Sequence, residues 1–199
     1  MSCLNWAVDT LMMPGQHCSG DQYLVTTTTE GALIAVVDGL GHGEEAAAAA
    51  ITAISILEQN ATMNVVSLVQ HCHEKLRSTR GVVMSIAAFN RCQKLFTWIG
   101  VGNVNGVFVS NGSNGHPVRE TLLLRGGVVG HQLPRLQAAI HPLEPGDTLI
   151  LNTDGVRNSF SDGLPLIGSP QDLAERILMH HSTGTDEAMV LVARYKEEA

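Results

Sequence analysis

Apolar and polar positions alternate with period two along residues 4–11 and 22–28, which predicts two β-strands. Over 32–37 the alternation gives way to a nearly continuous apolar run, a short strand that ends in Asp38-Gly39. A glycine-rich turn follows, Leu40-Gly41-His42-Gly43, and Glu44-Glu45 then open an alanine-rich run to Gln59. Acidic residues in a first turn suit the positive end of a helix and alanine has the best helix propensity, so 44–59 is predicted helical. A second helix is predicted over 65–77, with apolar residues at 65, 66, 69, 72 and 76, bounded by the break Thr79-Arg80-Gly81.

The remainder is β-rich. Strands are predicted over 82–90, 94–101, 106–110, 121–124, 136–141 and 148–152, separated by turn sequences such as Gly102-Asn103, Asn111-Gly112-Ser113-Asn114-Gly115 and Leu143-Glu144-Pro145-Gly146-Asp147. The strand over 148–152 runs into Thr153-Asp154-Gly155. Residues 170–180 predict a helix with Ser169 as its cap and Pro170 at its first position. A last strand over 188–192 is entered from Gly184-Thr185-Asp186-Glu187. This order lacks the strict βαβ alternation of a doubly wound parallel sheet, so the expected class is α+β, a layered sandwich. Without a repeat, linker or low-complexity tract, residues 1–199 are expected to form one domain.

Composition narrows the function. The chain has 199 residues, of which 44% are hydrophobic, a globular rather than a disordered balance. Twelve Lys and Arg face 19 Asp and Glu, for a net charge of -7, and the cations are dispersed. That excludes a nucleic-acid binder, which needs a basic face to neutralise phosphates. The longest apolar stretch free of charge, 46–57, has twelve residues, short of the roughly 20 that a spanning helix requires, and no signal peptide is visible at the N-terminus. Cys3, Cys18, Cys72 and Cys92 show no paired CxxC spacing and read as reduced thiols, so a cytoplasmic protein is expected. His71-Cys72-His73 does not read as a zinc site, because adjacent helical residues point about 100° apart. Trp6 and Trp98 fall within strand patterns and are expected in the core, and His180-His181 suits the negative end of a helix.

Four of the eight aspartates share one placement. Asp21 and Asp186 precede strands, while Asp38 and Asp154 end strands and are each followed by glycine. A single Asp-Gly at a strand end is simply a turn, since Asp caps turns and Gly permits positive φ. Four such aspartates make a shared sheet edge plausible, and carboxylates gathered there repel unless protonated or bridged by cations. Oxygen ligands without a histidine-rich set favour Mg²⁺ or Mn²⁺ over zinc.

Ser19-Gly20-Asp21-Gln22-Tyr23, Val37-Asp38-Gly39-Leu40-Gly41-His42-Gly43, Asn152-Thr153-Asp154-Gly155-Val156 and Asp186-Glu187-Ala188-Met189-Val190 resemble, in order, the motifs of the PPM superfamily of metal-dependent protein serine/threonine phosphatases, and within it the bacterial SpoIIE-like branch. The resemblance covers essentially the whole chain. Arg80-Gly81, Gly100-Val101-Gly102-Asn103-Val104 and Arg125-Gly126-Gly127-Val128-Val129-Gly130, with the small size, look most like the stand-alone feedback phosphatases of the stressosome. The resemblance implies a four-layer α-β-β-α sandwich, two antiparallel sheets flanked by helices, with the metals at one edge between the sheets. It implies two Mn²⁺ or Mg²⁺ ions and room for a third, with Asp38 bridging, the Gly39 carbonyl adding a ligand, Asp154 and Asp186 completing one ion and Asp21 holding the other. Asp38 and Asp154 would then serve catalysis through a metal-activated water, as in-line attack on phosphoserine or phosphothreonine requires.

Three departures qualify the carry-over. Eukaryotic members place a histidine directly after the Asp-Gly pair, where this chain has Leu40; His42, two residues on, is either a turn histidine or a weak candidate for the general acid. They also carry an N-terminal phosphate-binding arginine, whereas no arginine precedes Arg77 here. Glu187 and Met189 replace the usual second and fourth residues of the last motif. Asn103 either stands where many bacterial relatives place a polar active-site-floor residue or is simply the asparagine of a Gly-Asn turn. The partners implied are phosphorylated STAS-domain scaffold proteins of the stressosome, met by a monomer, with neither nucleic acid nor membrane involved. The alternatives are a phosphatase of a phosphorylated anti-sigma-factor antagonist and a silent binding module of the same fold.

Overall fold

A computed structural model of the chain describes residues 3–15, 18–111, 117–162 and 167–196. The predicted turn at 111–115 lies beyond Asn111 outside the described residues, as does the start of the N-terminus at 1–2. Along the described residues the elements are β1 (Leu4–Leu11), β2 (Asp21–Thr27), β3 (Gly31–Gly39), α1 (Glu44–Gln59), α2 (Val65–Lys75), β4 (Val82–Asn90), β5 (Leu95–Val101), β6 (Asn105–Asn111), β7 (Pro117–Thr121), β8 (Ala139–Pro142), β9 (Thr148–Asn152), α3 (Pro170–His181) and β10 (Ala188–Tyr195), with a 3₁₀ turn at Asn158–Asp162. The strands form two antiparallel five-stranded sheets, ordered β1-β10-β9-β6-β7 and β2-β3-β4-β5-β8.

The continuous apolar runs are strands buried on both faces. Along β3, Ala32, Ile34 and Val36 enter the core between the sheets, while Leu33, Ala35 and Val37 pack toward α1 and α2. In the other sheet, Met189, Leu191, Ala193 and Tyr195 of β10 face the inter-sheet core, and Ala188, Val190 and Val192 face Leu173 and Ile177 of α3. Period-two alternation thus assigns each residue to one of two apolar layers, and the result is the expected helix-sheet-sheet-helix sandwich. The inter-sheet layer is anchored by aromatic stacking: Phe96 lies 5.5 Å from Phe89 and 4.7 Å from Phe108, centroid to centroid. Ser169 caps α3 through a capping box with Asp172, and Pro170 follows it.

The strands over 4–11, 82–90 and 148–152 and the helix over 44–59 have the expected bounds. Differences concentrate at sheet edges. β7 covers Pro117–Thr121 rather than 121–124, and every one of its residues is exposed, so no apolar pattern marks it. β8 begins at Ala139 rather than 136, because Leu136 packs into the helix-side layer instead. β10 extends to Tyr195 because Ala193 and Tyr195 still face the inter-sheet core. α2 ends at Lys75 with Leu76 as its C-cap. The 3₁₀ turn, unforeseen, is pinned by Phe160, which is buried against α3 residues. Trp98 is core as expected, but Trp6 is 39% exposed. It sits on an edge strand and meets Tyr23 of the opposite sheet at 6.1 Å across the open edge of the sandwich.

No helix among the described residues is long and apolar enough to cross a membrane. Because Phe96 is fully buried at the junction of the sheets, Phe96→Ala is expected to lower unfolding free energy by about 3–5 kcal/mol. Ile140→Thr, at a position 65% exposed, is expected to change it by less than about 0.5 kcal/mol. Urea denaturation of the two variants measures the contrast.

Candidate metal centre

The antiparallel register of β2 and β3 sets Asp21 directly opposite Asp38, and the Gly39 N–H donates to the Gly20 carbonyl at 3.1 Å. The other sheet supplies Asp154, just past β9, and Asp186, just before β10; those strands are hydrogen-bonded neighbours. The sheets end together at this side of the sandwich, so four chain-distant aspartates meet. The glycines after Asp38 and Asp154 serve a different purpose from the expected one. Neither has positive φ. A Cβ on Gly39 would fall 2.0 Å from the Ala46 carbonyl oxygen, and one on Gly155 1.8 Å from that of Glu187. Each aspartate is therefore held where two backbone segments touch.

A cleft of about 300 Å³ is lined by Asp21, Asp38, Asp154, Asp186 and Glu187, together with Leu40, Gly41, His42, Val83 and Asn103. Thr153 Oγ1 donates to Asp21 Oδ2 at 2.8 Å and accepts from the Met189 N–H at 2.9 Å. Asn103 Nδ2 donates to Asp154 Oδ2 at 2.6 Å. Glu187 Oε2 accepts from Ser19 Oγ at 2.7 Å and from the Gly20 N–H at 2.8 Å, and Ser19 Oγ accepts in turn from the Asp21 N–H at 3.1 Å.

Of the residues singled out from the sequence, all four aspartates line the cleft. Gly39 is buried immediately behind it and does not line it, while His42 lies exposed at its rim with no hydrogen bond among the described residues. Thr153 and Glu187 carry structural bonds that their sequence positions did not reveal. Glu187 registered only as a mismatch to the family motif, and its burial, 9% exposed, is what gives it a role. The His71-Cys72-His73 run forms no ligand set: Cys72 is buried in α2, and His73 Nδ1 accepts from the Gly130 N–H.

Burial and mutual repulsion shift the carboxyl groups of Asp21, Asp38 and Asp154 upward. Burial, followed by the neighbouring carboxylates, pushes Asp38 up to about 8 from an ordinary 3.8. Burial pushes Asp21 up to about 7, against the lowering effect of the Thr153 hydrogen bond and with Glu187, Asp154 and Asp186 adding to the rise. Asp154 is raised by burial and by Asp186. Among the described residues, no three His, Cys, Asp or Glu side chains stand close enough to hold an ion as they are. A divalent ion bound among these carboxylates would offset their mutual repulsion. The donors fit such an ion: all are oxygens, and the buried Glu187 Oε1 has no hydrogen-bond partner.

The sign of the pH dependence follows. Between about pH 4 and 8 the cation-free folded protein retains protons on Asp21 and Asp38 that the unfolded chain has released, so stability falls as pH rises through that window. In EDTA the melting temperature should decrease from pH 5.5 to pH 8.5, and Mn²⁺ or Mg²⁺ at the upper pH should restore it. Asp38→Asn should flatten the EDTA profile and abolish the rescue; differential scanning fluorimetry reads both. Gly155→Ala, which drives a methyl into the Glu187 carbonyl, should cost about 1–3 kcal/mol in urea denaturation and weaken Mn²⁺ binding measured by calorimetry.

Comparison with known proteins identifies the family and the fold. The model of the family described as Stage II sporulation protein E (SpoIIE) matches residues 28–196. Phosphoserine phosphatase RsbX of Bacillus subtilis (strain 168) is 27% identical over 186 residues, covering 90% of this chain and 89% of that protein. A structure solved in work on the bacterial stressosome, as a modular system adapted to control secondary messenger signalling, is 30% identical and superposes with a TM-score of 0.86 over 96% of this chain and 99% of that one. RsbX in complex with magnesium is 23% identical, with a TM-score of 0.85 over 97% of this chain and 96% of that one. The two five-stranded sheets with their helices match the fold of PPM phosphatases. The chain belongs to the SpoIIE family.

Proposed function

We propose that residues 1–199 form one phosphatase domain that removes phosphate from phosphoserine or phosphothreonine on STAS-domain scaffold proteins of the stressosome, acting in the cytoplasm as a monomer. The observation that carries this reading is the meeting of Asp21 and Asp38 from one sheet with Asp154 and Asp186 from the other in a single cleft. The stressosome assignment is supported by the likeness to RsbX and to the structure from stressosome work.

Asp21, Asp38, Asp154 and Asp186 would hold two Mn²⁺ or Mg²⁺ ions, with room for a third, the Gly39 carbonyl would be a further donor, and the buried Glu187 Oε1 has no hydrogen-bond partner. Bound there, the ions would supply an acidified water for attack on phosphorus and offset charge on the phosphoryl oxygens. The chain's own residues do the positioning. Thr153 holds Asp21, Asn103 holds Asp154, and Glu187 fixes the Ser19–Gly20 loop that leads into Asp21. Such bonds orient ligands and tune their basicity. His42 is the only imidazole among the lining residues and the candidate donor to the departing serine alkoxide.

Purified protein should hydrolyse p-nitrophenyl phosphate and phosphoserine peptides with Mn²⁺ or Mg²⁺ and stop in EDTA; turnover that survives EDTA would refute the mechanism. Asp38→Asn and Asp154→Asn should each reduce kcat by more than about 100-fold, whereas Asn103→Ala, which removes only a partner of a ligand, should reduce it by about 10–100-fold. Steady-state kinetics on phosphorylated scaffold protein and on phosphorylated anti-sigma-factor antagonist, side by side, decide the substrate: preference for the second would overturn the stressosome assignment.

A further inference from the structure

The metal cleft has five carboxylates and no cation among its lining residues. Beside it lies an open groove of about 720 Å³ with the opposite lining: Arg125, Gly126, Pro134, Arg135, Leu136 and Gln137, two guanidinium groups and no carboxylate. The two are joined by one turn. The Gly102 N–H donates to the Arg125 carbonyl at 2.8 Å, and the Arg125 N–H donates to the Gly100 carbonyl at 3.3 Å. The next residue, Asn103, lines the cleft and binds Asp154. Gly102 is held at φ 94, with Val83, another cleft residue, filling the space a side chain would take. The groove is thereby fixed against the cleft wall.

Neither of these two arginines is neutralised by a carboxylate, in contrast to two others. Arg77 pairs with Glu74, and Arg80, which packs over Gly41 at the cleft rim, pairs with Glu45. Arg125 has only a neutral partner, Gln137 Oε1, at 2.6 Å, so its guanidinium is oriented without being neutralised. Arg135 is exposed and has no hydrogen bond or ion pair among the described residues. In a chain of net charge -7, two uncompensated guanidiniums in one groove next to the reaction centre are placed to receive an anion. They also provide a local attractive field that the acidic molecule as a whole does not.

We infer that this groove docks the substrate chain beside the phosphorylated residue and selects segments that carry aspartate or glutamate near the phosphoserine. The inference rests on the phosphatase reading above and adds to it a sequence preference. Gly126, whose Cα faces open space, leaves the groove floor clear for an extended chain. Guanidinium–carboxylate pairs across the groove would lower KM and leave the chemical step alone, because both arginines stand away from the cleft lining.

The test uses three phosphoserine peptides of one length, flanked by Asp and Glu, by Asn and Gln, or by a second phosphoserine, assayed with Mn²⁺ on the full chain. The wild type should favour the acidic over the neutral flank about fivefold in kcat/KM, through KM, the effect of two exposed ion pairs. Raising the salt concentration should erase that preference. Arg125→Gln with Arg135→Gln should bring the ratio near one, and the exposed single change Arg135→Glu should invert it without disturbing the Arg125–Gln137 bond. A wild-type ratio near one, a ratio that persists in both variants, or a gain from the second phosphoserine alone overturns the inference. Failure of the wild type to turn over any of the peptides would instead sink the phosphatase reading, so the two failures are distinct.

Discussion

The hydroxyl of Thr153, fully buried, donates to Asp21 across the sandwich and accepts from the backbone of Met189 within its own sheet. This bond ties the end of one sheet to the end of the other in a low-dielectric setting, where a lost partner leaves a buried polar group unpaired. A slide of one sheet over the other would break it. Glu187 adds a second tie from the same sheet, to Ser19 and Gly20 on the way into Asp21. The cleft depends on these ties because each sheet contributes only two of its four aspartates. The apolar layers hold the sheets face to face, but hydrophobic contact is non-directional and does not set their relative registration to the accuracy a metal site needs.

Holding the sheets in that registration concentrates negative charge. Burial and mutual repulsion raise Asp21 and Asp38 far above the ordinary carboxylate range, so the fold carries a destabilising feature at its functional edge. A divalent cation bound among these carboxylates would offset that cost. The surrounding neutral donors, Thr153 and Asn103, aim the carboxylates without neutralising them. Arginines are kept out of the cleft and, in the adjoining groove, kept free of carboxylates, so two fields of opposite sign lie side by side.

Most of the fold was legible because double-sided burial leaves a signature that neighbouring residues alone determine: nine consecutive positions of β3, all but Asp38 buried, read as a strand in any context. Illegible elements were those whose existence depends on a distant partner. The exposed strand β7 has no pattern of its own and forms by hydrogen bonding to β6. Trp6, read as core from its apolar character, is left half outside because β1 has a neighbour on one side only. The glycines after Asp38 and Asp154 were visible as glycines, yet the reason for them was misread: a close approach of Ala46 and Glu187 demands them, not a left-handed turn.

By itself the sequence determined the donor atoms and their local settings: four aspartates at strand ends, two of them before a glycine, in a chain whose periodicity builds a layered sandwich. Strand ends and helix starts follow from the order of nearby residues, and those are printed in the chain. Only the tertiary structure decided that the aspartates face one cleft, that Thr153 reaches Asp21 from 132 residues away, that Glu187 binds Ser19 across 168, and that Arg125 and Arg135 share a groove beside them. Those contacts are set by how two sheets register against each other, a property of packing and of a few buried hydrogen bonds that no local window of sequence contains.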